Sequence, residues 1–257
     1  MISGILEEMT IAEVRALAPN VALLPLGSTE PHGPALPYGT DSFTIGAVSR
    51  RATVLANERG ARALCYPTLP ITLNNNFRAF PFACRMGVAT FMAMLADIVT
   101  QAAADGIRRV VLANGHGGNT DAVRAMLREL AARDNMPFVC MIQGMMADKA
   151  VIAANIEHPS DHAGESEVSI QMFVRPELVR PERLADNPRN KPALPSLNDD
   201  KVFFVKPWHR YVPASAGGDQ RRAAAAKGRA LVESSSANIA QLLVELSQAP
   251  ESATFPY

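Results

Sequence analysis

The sequence predicts an α/β fold: a single domain over residues 1–257, with a mainly parallel sheet and helices on both faces. Three observations carry that prediction. Short apolar runs of strand length alternate with longer segments of helical periodicity. Two of those runs lead straight into Gly-rich polar loops, as strands of open parallel sheets do where they meet ligands. A chain of 257 residues, 48% apolar and 19% charged, can also build one large core without disulfides.

The first strand is Val21-Ala22-Leu23-Leu24-Pro25-Leu26, ending in a loop rich in Gly and Pro. Thr40 to about Glu58 reads as a helix, with Ile45, Val48, Val54 and Leu55 expected to be buried. Ala63 to Tyr66 is a second buried strand, stopped by Pro67, and Val88 to Ala104 is a long helix striped by Met92, Leu95 and Val99. Arg109 to Ala113 is the third strand and runs into Asn114-Gly115-His116-Gly117-Gly118-Asn119. Val123, Met126, Leu127 and Leu130 then fall at i, i+3, i+4, i+7 of a helix. Asn119 or Thr120 can cap it, with Asp121 in the first turn against the helix dipole. Pro137 to Ile142 is the fourth strand and Glu165 to Phe173 is helical. Pro176 to Pro207 is proline-rich, lacks periodicity and reads as an irregular excursion; Ala223 to Leu246 closes the chain as an Ala-rich helix.

Composition narrows the function. Lys plus Arg equals Asp plus Glu, at 25 each, and no long stretch is strongly basic, which argues against a nucleic-acid partner. No window approaches the roughly 18 uninterrupted apolar residues of a membrane span. The first eight residues contain acids and no signal-peptide run, and Cys65, Cys84 and Cys140 have neither zinc-ribbon nor redox spacing. A cytoplasmic enzyme is expected.

The chemistry-bearing residues gather in three clusters. The first is Gly27-Ser28-Thr29-Glu30-Pro31-His32-Gly33-Pro34 with Gly39-Thr40-Asp41, at the carboxyl end of the first strand. Glu30 and His32, two apart in extended chain, point to the same side. With Asp41 they form a fitting ligand set for Zn²⁺, Mn²⁺ or Fe²⁺. A structural role is equally open here, with Asp41 capping a helix and Glu30 a solvated loop acid. The second cluster, Asn114 to Asn119, has no Lys after its glycines and so is not a P-loop. His116 at its centre suggests a metal ligand. The third, Asp161-His162-Ala163-Gly164-Glu165-Ser166-Glu167, can complete a metal shell and supply a proton shuttle.

These stretches closely resemble the three signature stretches of the creatininase family. They are Glu30-Pro31-His32-Gly33 with Asp41, Asn114 to Asn119, and His162-Ala163-Gly164-Glu165-Ser166-Glu167-Val168-Ser169. Gly217-Gly218-Asp219 and Ala226-Lys227-Gly228-Arg229 resemble its C-terminal pattern, so the likeness runs in register over roughly residues 15 to 240. It implies two divalent metal ions per chain (Zn, Mn or Fe). Asp41 would bridge them; Glu30 and His116 would hold one, and His32 the other together with a late carboxylate. His162 matches the histidine assigned to proton transfer. It also implies a homo-oligomer, with a hexamer as the expected form.

Two departures matter. Creatininases proper carry a Tyr-Glu pair where this chain has Gly117-Gly118, and that Glu ligates the second metal. Glu165 and Glu167 are the candidates to replace it, with Glu167 preferred because the family places a carboxylate there. Creatininases proper also enclose their flat substrate with tryptophans, whereas this chain has one, Trp208. Members with the Gly-Gly loop include a formamide deformylase, a peptide-trimming enzyme and an inosose-ring hydrolase.

The expected activity is metal-dependent hydrolysis of a non-peptide C–N bond (amide, formamide or lactam-like) in a small-molecule substrate by metal-activated water. His162 or Glu167 would pass a proton to the leaving nitrogen. The alternatives are a peptide-trimming or ring-opening hydrolase, a catalytically silent metal-binding homologue, or a phosphate-binding enzyme using Asn114 to Asn119. Ser28 and Ser166 lie in no G-x-S-x-G elbow, which disfavours a serine hydrolase. Arg78, in a polar loop after the second strand, is a weaker candidate for substrate contact.

Overall fold

The computed structural model describes residues 2–134, 136–160, 162–199, 201–252 and 255–256. Its strands and helices are α1 (Ile11–Leu17), β1 (Val21–Leu26), α2 (Thr40–Glu58), β2 (Ala63–Cys65), α3 (Val88–Ala104), β3 (Arg109–Asn114), α4 (Thr120–Leu130) and β4 (Phe138–Gln143), followed by α5 (Lys149–Asn155), α6 (Glu165–Val174), β5 (Asp186–Asn187), α7 (Trp208–Tyr211), β6 (Gly218–Asp219) and α8 (Ala225–Gln248). The first four strands form one parallel sheet in the order β2-β1-β3-β4. Leu26 stands opposite Asn114, and Asn114 opposite Gln143, so three strands end level at one edge.

Successive side chains of a strand face opposite ways, and both faces here are covered. Val21, Leu23, Val111 and Ala113 pack under α2, α6 and α8. Ala22, Leu24, Leu26, Val110 and Leu112 pack under α3 and α4. That is why β1 and β3 read as unbroken apolar runs and not as alternating ones. Each buried Val or Leu contributes roughly 1.5–3 kcal/mol, which a polar residue on either face would forfeit. Pro25 interrupts this central strand at low cost. Its carbonyl faces the β2 side, accepting from Leu69 N at 2.9 Å, beyond the point where β2 has already ended at Cys65.

The strand order reverses between β1 and β3. Helix α2 leaves β1 toward one face and α4 leaves β3 toward the other. The loops after these two strands therefore diverge, and a crevice opens between them at their carboxyl ends.

The expected strands and long helices are present, with ends moved by one or two residues. Three short helices, α1, α5 and α7, were not anticipated. Helix α1 is set by a capping box, Thr10 Oγ1 accepting from Glu13 N at 3.4 Å and Glu13 Oε2 from Thr10 N at 2.7 Å. Asn119 occupies the N-cap position of α4, but its side chain does not cap, because the strand-end loops use it instead. The excursion contains short 3-10 turns and β5, which pairs antiparallel with β6.

Helices α6 and α8 cross at Gly228, where an added Cβ would overlap the backbone of Ser169 and Ile170. On an open helix face Gly→Ala would stabilise by up to about 1 kcal/mol. Here overpacking reverses the sign. Gly228→Ala should cost about 1–3 kcal/mol, a fall in melting temperature of several degrees on a thermal scan; a rise would show that the crossing is loose.

Candidate metal centre

Three chain segments bring ionisable groups into the crevice. Glu30 and His32 follow β1, Asp41 lies in the first turn of α2, and His116 follows β3; all four side chains are buried. The Asp41 carboxylate stands between the two histidines. Its Oδ1 is 3.1 Å from His32 Nε2 and its Oδ2 is 3.1 Å from His116 Nδ1. Glu30 Oε1 lies 3.3 Å from His116 Nδ1, 4.0 Å from His32 Nε2 and 3.7 Å from His162 Nδ1. Glu167 Oε2 closes the far side, 3.8 Å from His32 Nε2. Two donor sets result, Glu30–Asp41–His116 and His32–Asp41–Glu167, sharing Asp41. Glu30, His32 and His162 also approach one another.

Main-chain carbonyls fix the histidine tautomers. His32 Nδ1 is 3.1 Å from the Glu30 carbonyl, His116 Nε2 is 2.9 Å from that of Leu73, and His162 Nε2 is 3.1 Å from that of Pro31. Each ring donates that N–H and turns its other nitrogen, a lone pair in the neutral ring, toward carboxylate oxygens. Lone pair facing lone pair at 3.1 Å requires a proton or a cation between them.

In the protein alone, protons meet that demand. Burial opposes ionisation of His32, but Asp41, Glu167 and Glu30 push it up to about 10. His116 is likewise raised well above its usual value against burial by Glu30 and Asp41. Burial raises Asp41, yet His32 and His116 overcome this and hold it well below the carboxylate range. Burial pushes Glu30 up, and pushes Glu167 up to about 7. His162 goes the other way, well below 6.5, through burial and the neighbouring His32.

Divalent ions fit the same donors. Ligands about 2.1 Å from an ion in tetrahedral array stand about 3.4 Å apart, and the two sets span 3.1–3.8 Å between acid and nearest histidine. Asp41 Oδ2 is buried without a hydrogen bond, with His116 Nδ1 3.1 Å away. Imidazole and carboxylate together suit Zn²⁺, Mn²⁺ and Fe²⁺.

Of the anticipated residues, the structure brings together Glu30, His32, Asp41, His116, His162 and Glu167. Glu165 does not join them. Its Oε1 takes the Lys227 ammonium at 2.6 Å, and its Oε2 accepts from Glu157 N and His158 N. Helix periodicity explains the split: Glu165 and Glu167, two apart on a helix, cannot face the same way. Asp161 lies outside the described residues. Ser28 is bonded to Asn74 at 2.7 Å and lies 3.3 Å from Glu30 Oε2, an orienting position. Arg78 is exposed.

Several contributors have roles here other than those the sequence suggested. An added Cβ at Gly118 would overlap the Leu73 carbonyl and His116 Nε2, so the Gly-Gly loop makes room for the bond that orients His116. Asn119 knots the loops, accepting from Leu73 N at 3.2 Å and donating to Asn114 Oδ1 and the Gly27 carbonyl. The main-chain N–H groups of Gly115, His116 and Asn119, which a phosphate cradle would need, are already donated to the Leu26 carbonyl, Asn114 Oδ1 and the His116 carbonyl. Phe77, beside Arg78, and Trp208 pack against the His162 ring at 5.5 and 5.3 Å between centroids. A cavity of about 460 Å³ opens on the other side, reaching Glu30, Asp41, His116, His162 and Glu167.

Comparison with known proteins places this geometry. The family profile described as creatinine amidohydrolase (creatininase) matches residues 7–243. A mycofactocin precursor peptide peptidase from Mycobacterium ulcerans (strain Agy99) is 30% identical over 88% of this chain and 85% of its own. A solved structure from Bacteroides fragilis NCTC 9343, assigned as a creatinine amidohydrolase, superposes with a TM-score of 0.86 at 29% identity, covering 98% of this chain and 99% of its own. A manganese form of creatininase superposes at 0.76 with 27% identity, over 96% of this chain and 100% of its own. No helix among the described residues is long and apolar enough to cross a membrane. With the profile matched over nearly its whole length, the chain belongs to the creatininase family of hydrolases.

Proposed function

We propose that the protein is a metal-dependent amidohydrolase that opens a C–N bond of a small, non-peptide substrate. The observation that carries this is the shared Asp41 carboxylate, with one oxygen 3.1 Å from each of two histidines whose other nitrogens are tied to carbonyls. Glu30, Asp41 and His116 would hold one divalent ion, and His32, Asp41 and Glu167 the second. The ions would be Zn, Mn or Fe. When bound, such a pair supplies an activated water and a Lewis acid for the scissile carbonyl.

The chain's own groups do the rest. His162 is kept neutral by burial and donates Nε2–H to the Pro31 carbonyl, so Nδ1 is free to take a proton from the attacking water. It returns that proton to the leaving nitrogen, and Glu167 at the cavity wall is the second group placed to carry it. Phe77 and Trp208 shield the ring from bulk water on the opposite side. Peptide trimming is the second reading, supported by the identity to the peptidase relative. A hydrolysis screen of formamides, lactams, short peptides and cyclic ketones separates the two. Assembly into a homo-oligomer fits the excursion, where Phe203 and Val205 are 90% and 91% exposed. A monomeric mass by light scattering at micromolar concentration would count against it.

Metal removal gives the broadest test. Titrating Mn²⁺ or Zn²⁺ into chelator-stripped protein to about 100 times its Kd should add roughly 2.7 kcal/mol, raising the melting temperature by about 5–10 °C. An unchanged transition would mean no ion is bound.

Substitutions separate the roles. Asp41→Asn should empty both positions in elemental analysis and abolish hydrolysis. Glu167→Gln should lose one ion per chain, whereas Glu165→Gln should keep both. Lys227→Met should instead lower stability, by about 1–3 kcal/mol, because the buried Glu165 carboxylate would keep its two main-chain N–H partners but lose the Lys227 cation. Should Glu165→Gln lose an ion and Glu167→Gln keep two, the assignment is reversed. His162→Ala should retain both ions while turnover falls about 10²–10⁴-fold.

A further inference from the structure

The cavity beside the cluster has a chemistry of its own. Its apolar lining is formed by Ile45, Met145, Ile152, Ile156, Ile170 and Leu231. Four of these, Ile45, Ile156, Ile170 and Leu231, belong to the core under α2, α6 and α8, so the shape of that wall is fixed by the fold. Among the described residues lining the cavity, every ionisable side chain belongs to the acid–histidine cluster, the other polar ones (Thr44, Asn114, Gln143, Ser160 and Ser166) are uncharged, and no Phe, Tyr or Trp is present. Apart from that cluster and the ions it would hold, no cation is there to pair with a substrate carboxylate and no large aromatic ring to stack on a flat cationic one. Gly117 borders the same space, and a Cβ added to it would meet no atom within 4 Å. A side chain at that position would therefore project unopposed, and the glycine leaves the volume open.

We propose that this cavity binds a neutral aliphatic arm of the substrate, next to the bond that is cleaved, and that Gly117 is the specificity-determining residue that admits it. The arm desolvates the apolar wall while the cluster holds the polar head. This inference rests on the amidohydrolase reading above, because the cluster must anchor the head for the arm to be placed.

The test is calorimetric binding of acetohydroxamate, butanohydroxamate and hexanohydroxamate to the protein reconstituted with Mn²⁺ or Zn²⁺. The hydroxamate is a metal-binding head common to all three, and only the arm varies. Affinity should tighten about fourfold per added methylene. Gly117→Tyr should flatten that dependence by filling the space. Ile152→Asp, on the partly exposed wall of α5, should flatten it by placing a charge there, and serves if the first variant folds poorly. Equal affinity for all three ligands in the unaltered protein would overturn the arm while leaving the metal reading standing. A chain-length dependence that survives both substitutions would place the arm elsewhere and overturn it too. If metal-loaded protein bound no hydroxamate at all, the underlying amidohydrolase reading would fail and this inference with it.

Discussion

The structure depends on one buried carboxylate being shared by two histidines. Asp41 puts one oxygen 3.1 Å from His32 and the other 3.1 Å from His116, while Glu30 and Glu167 bring two further acids to the same place. Charges of like sign this close cannot all remain ionised in a buried site without compensation. In the protein alone Asp41, Glu30 and Glu167 favour the charged forms of His32 and His116 against the cost of burial. A pair of cations would answer the same demand with the donors already placed, and the orphaned Asp41 Oδ2 favours that answer.

Holding such a cluster requires a scaffold that does not yield. The two buried faces of β1 and β3 supply it, since their loops emerge from strands locked by cores on both sides. The reversal of strand order then separates the α2 and α4 connections and leaves room between them. Around the cluster, carbonyls of Glu30, Pro31 and Leu73 orient the three rings, and Asn119 gives up capping its own helix to tie the loops together. Orientation of a ligand by its outer partner is commonly worth a tenfold to hundredfold difference in metal affinity. These main-chain contacts would therefore tune any ion the cluster holds.

The Gly-Gly loop has two distinct physical roles. Gly118 is small because the Leu73–His116 hydrogen bond passes where its side chain would be. Gly117 faces open space, and its lack of a side chain enlarges the cavity.

Much of this was legible along the chain because the determinants are local. Continuous apolar runs and 3.6-residue periodicity announced a doubly covered parallel sheet. Glu30 and His32 were recognisable as a pair because extended chain puts residues two apart on one side. His116 and Asp41 stood out by their place at strand and helix ends. Tertiary structure alone decided the rest. Whether Glu165 or Glu167 turned inward depended on the rotation of α6, which is set by packing against α8 at Gly228 and by Lys227 claiming Glu165. Phe77, Trp208 and the carbonyls of Leu73 and Pro31 reach the histidines from distant parts of the chain. A carbonyl is present at every residue, so no sequence pattern singles out the one that will orient a ring; only the folded chain brings it within hydrogen-bonding distance.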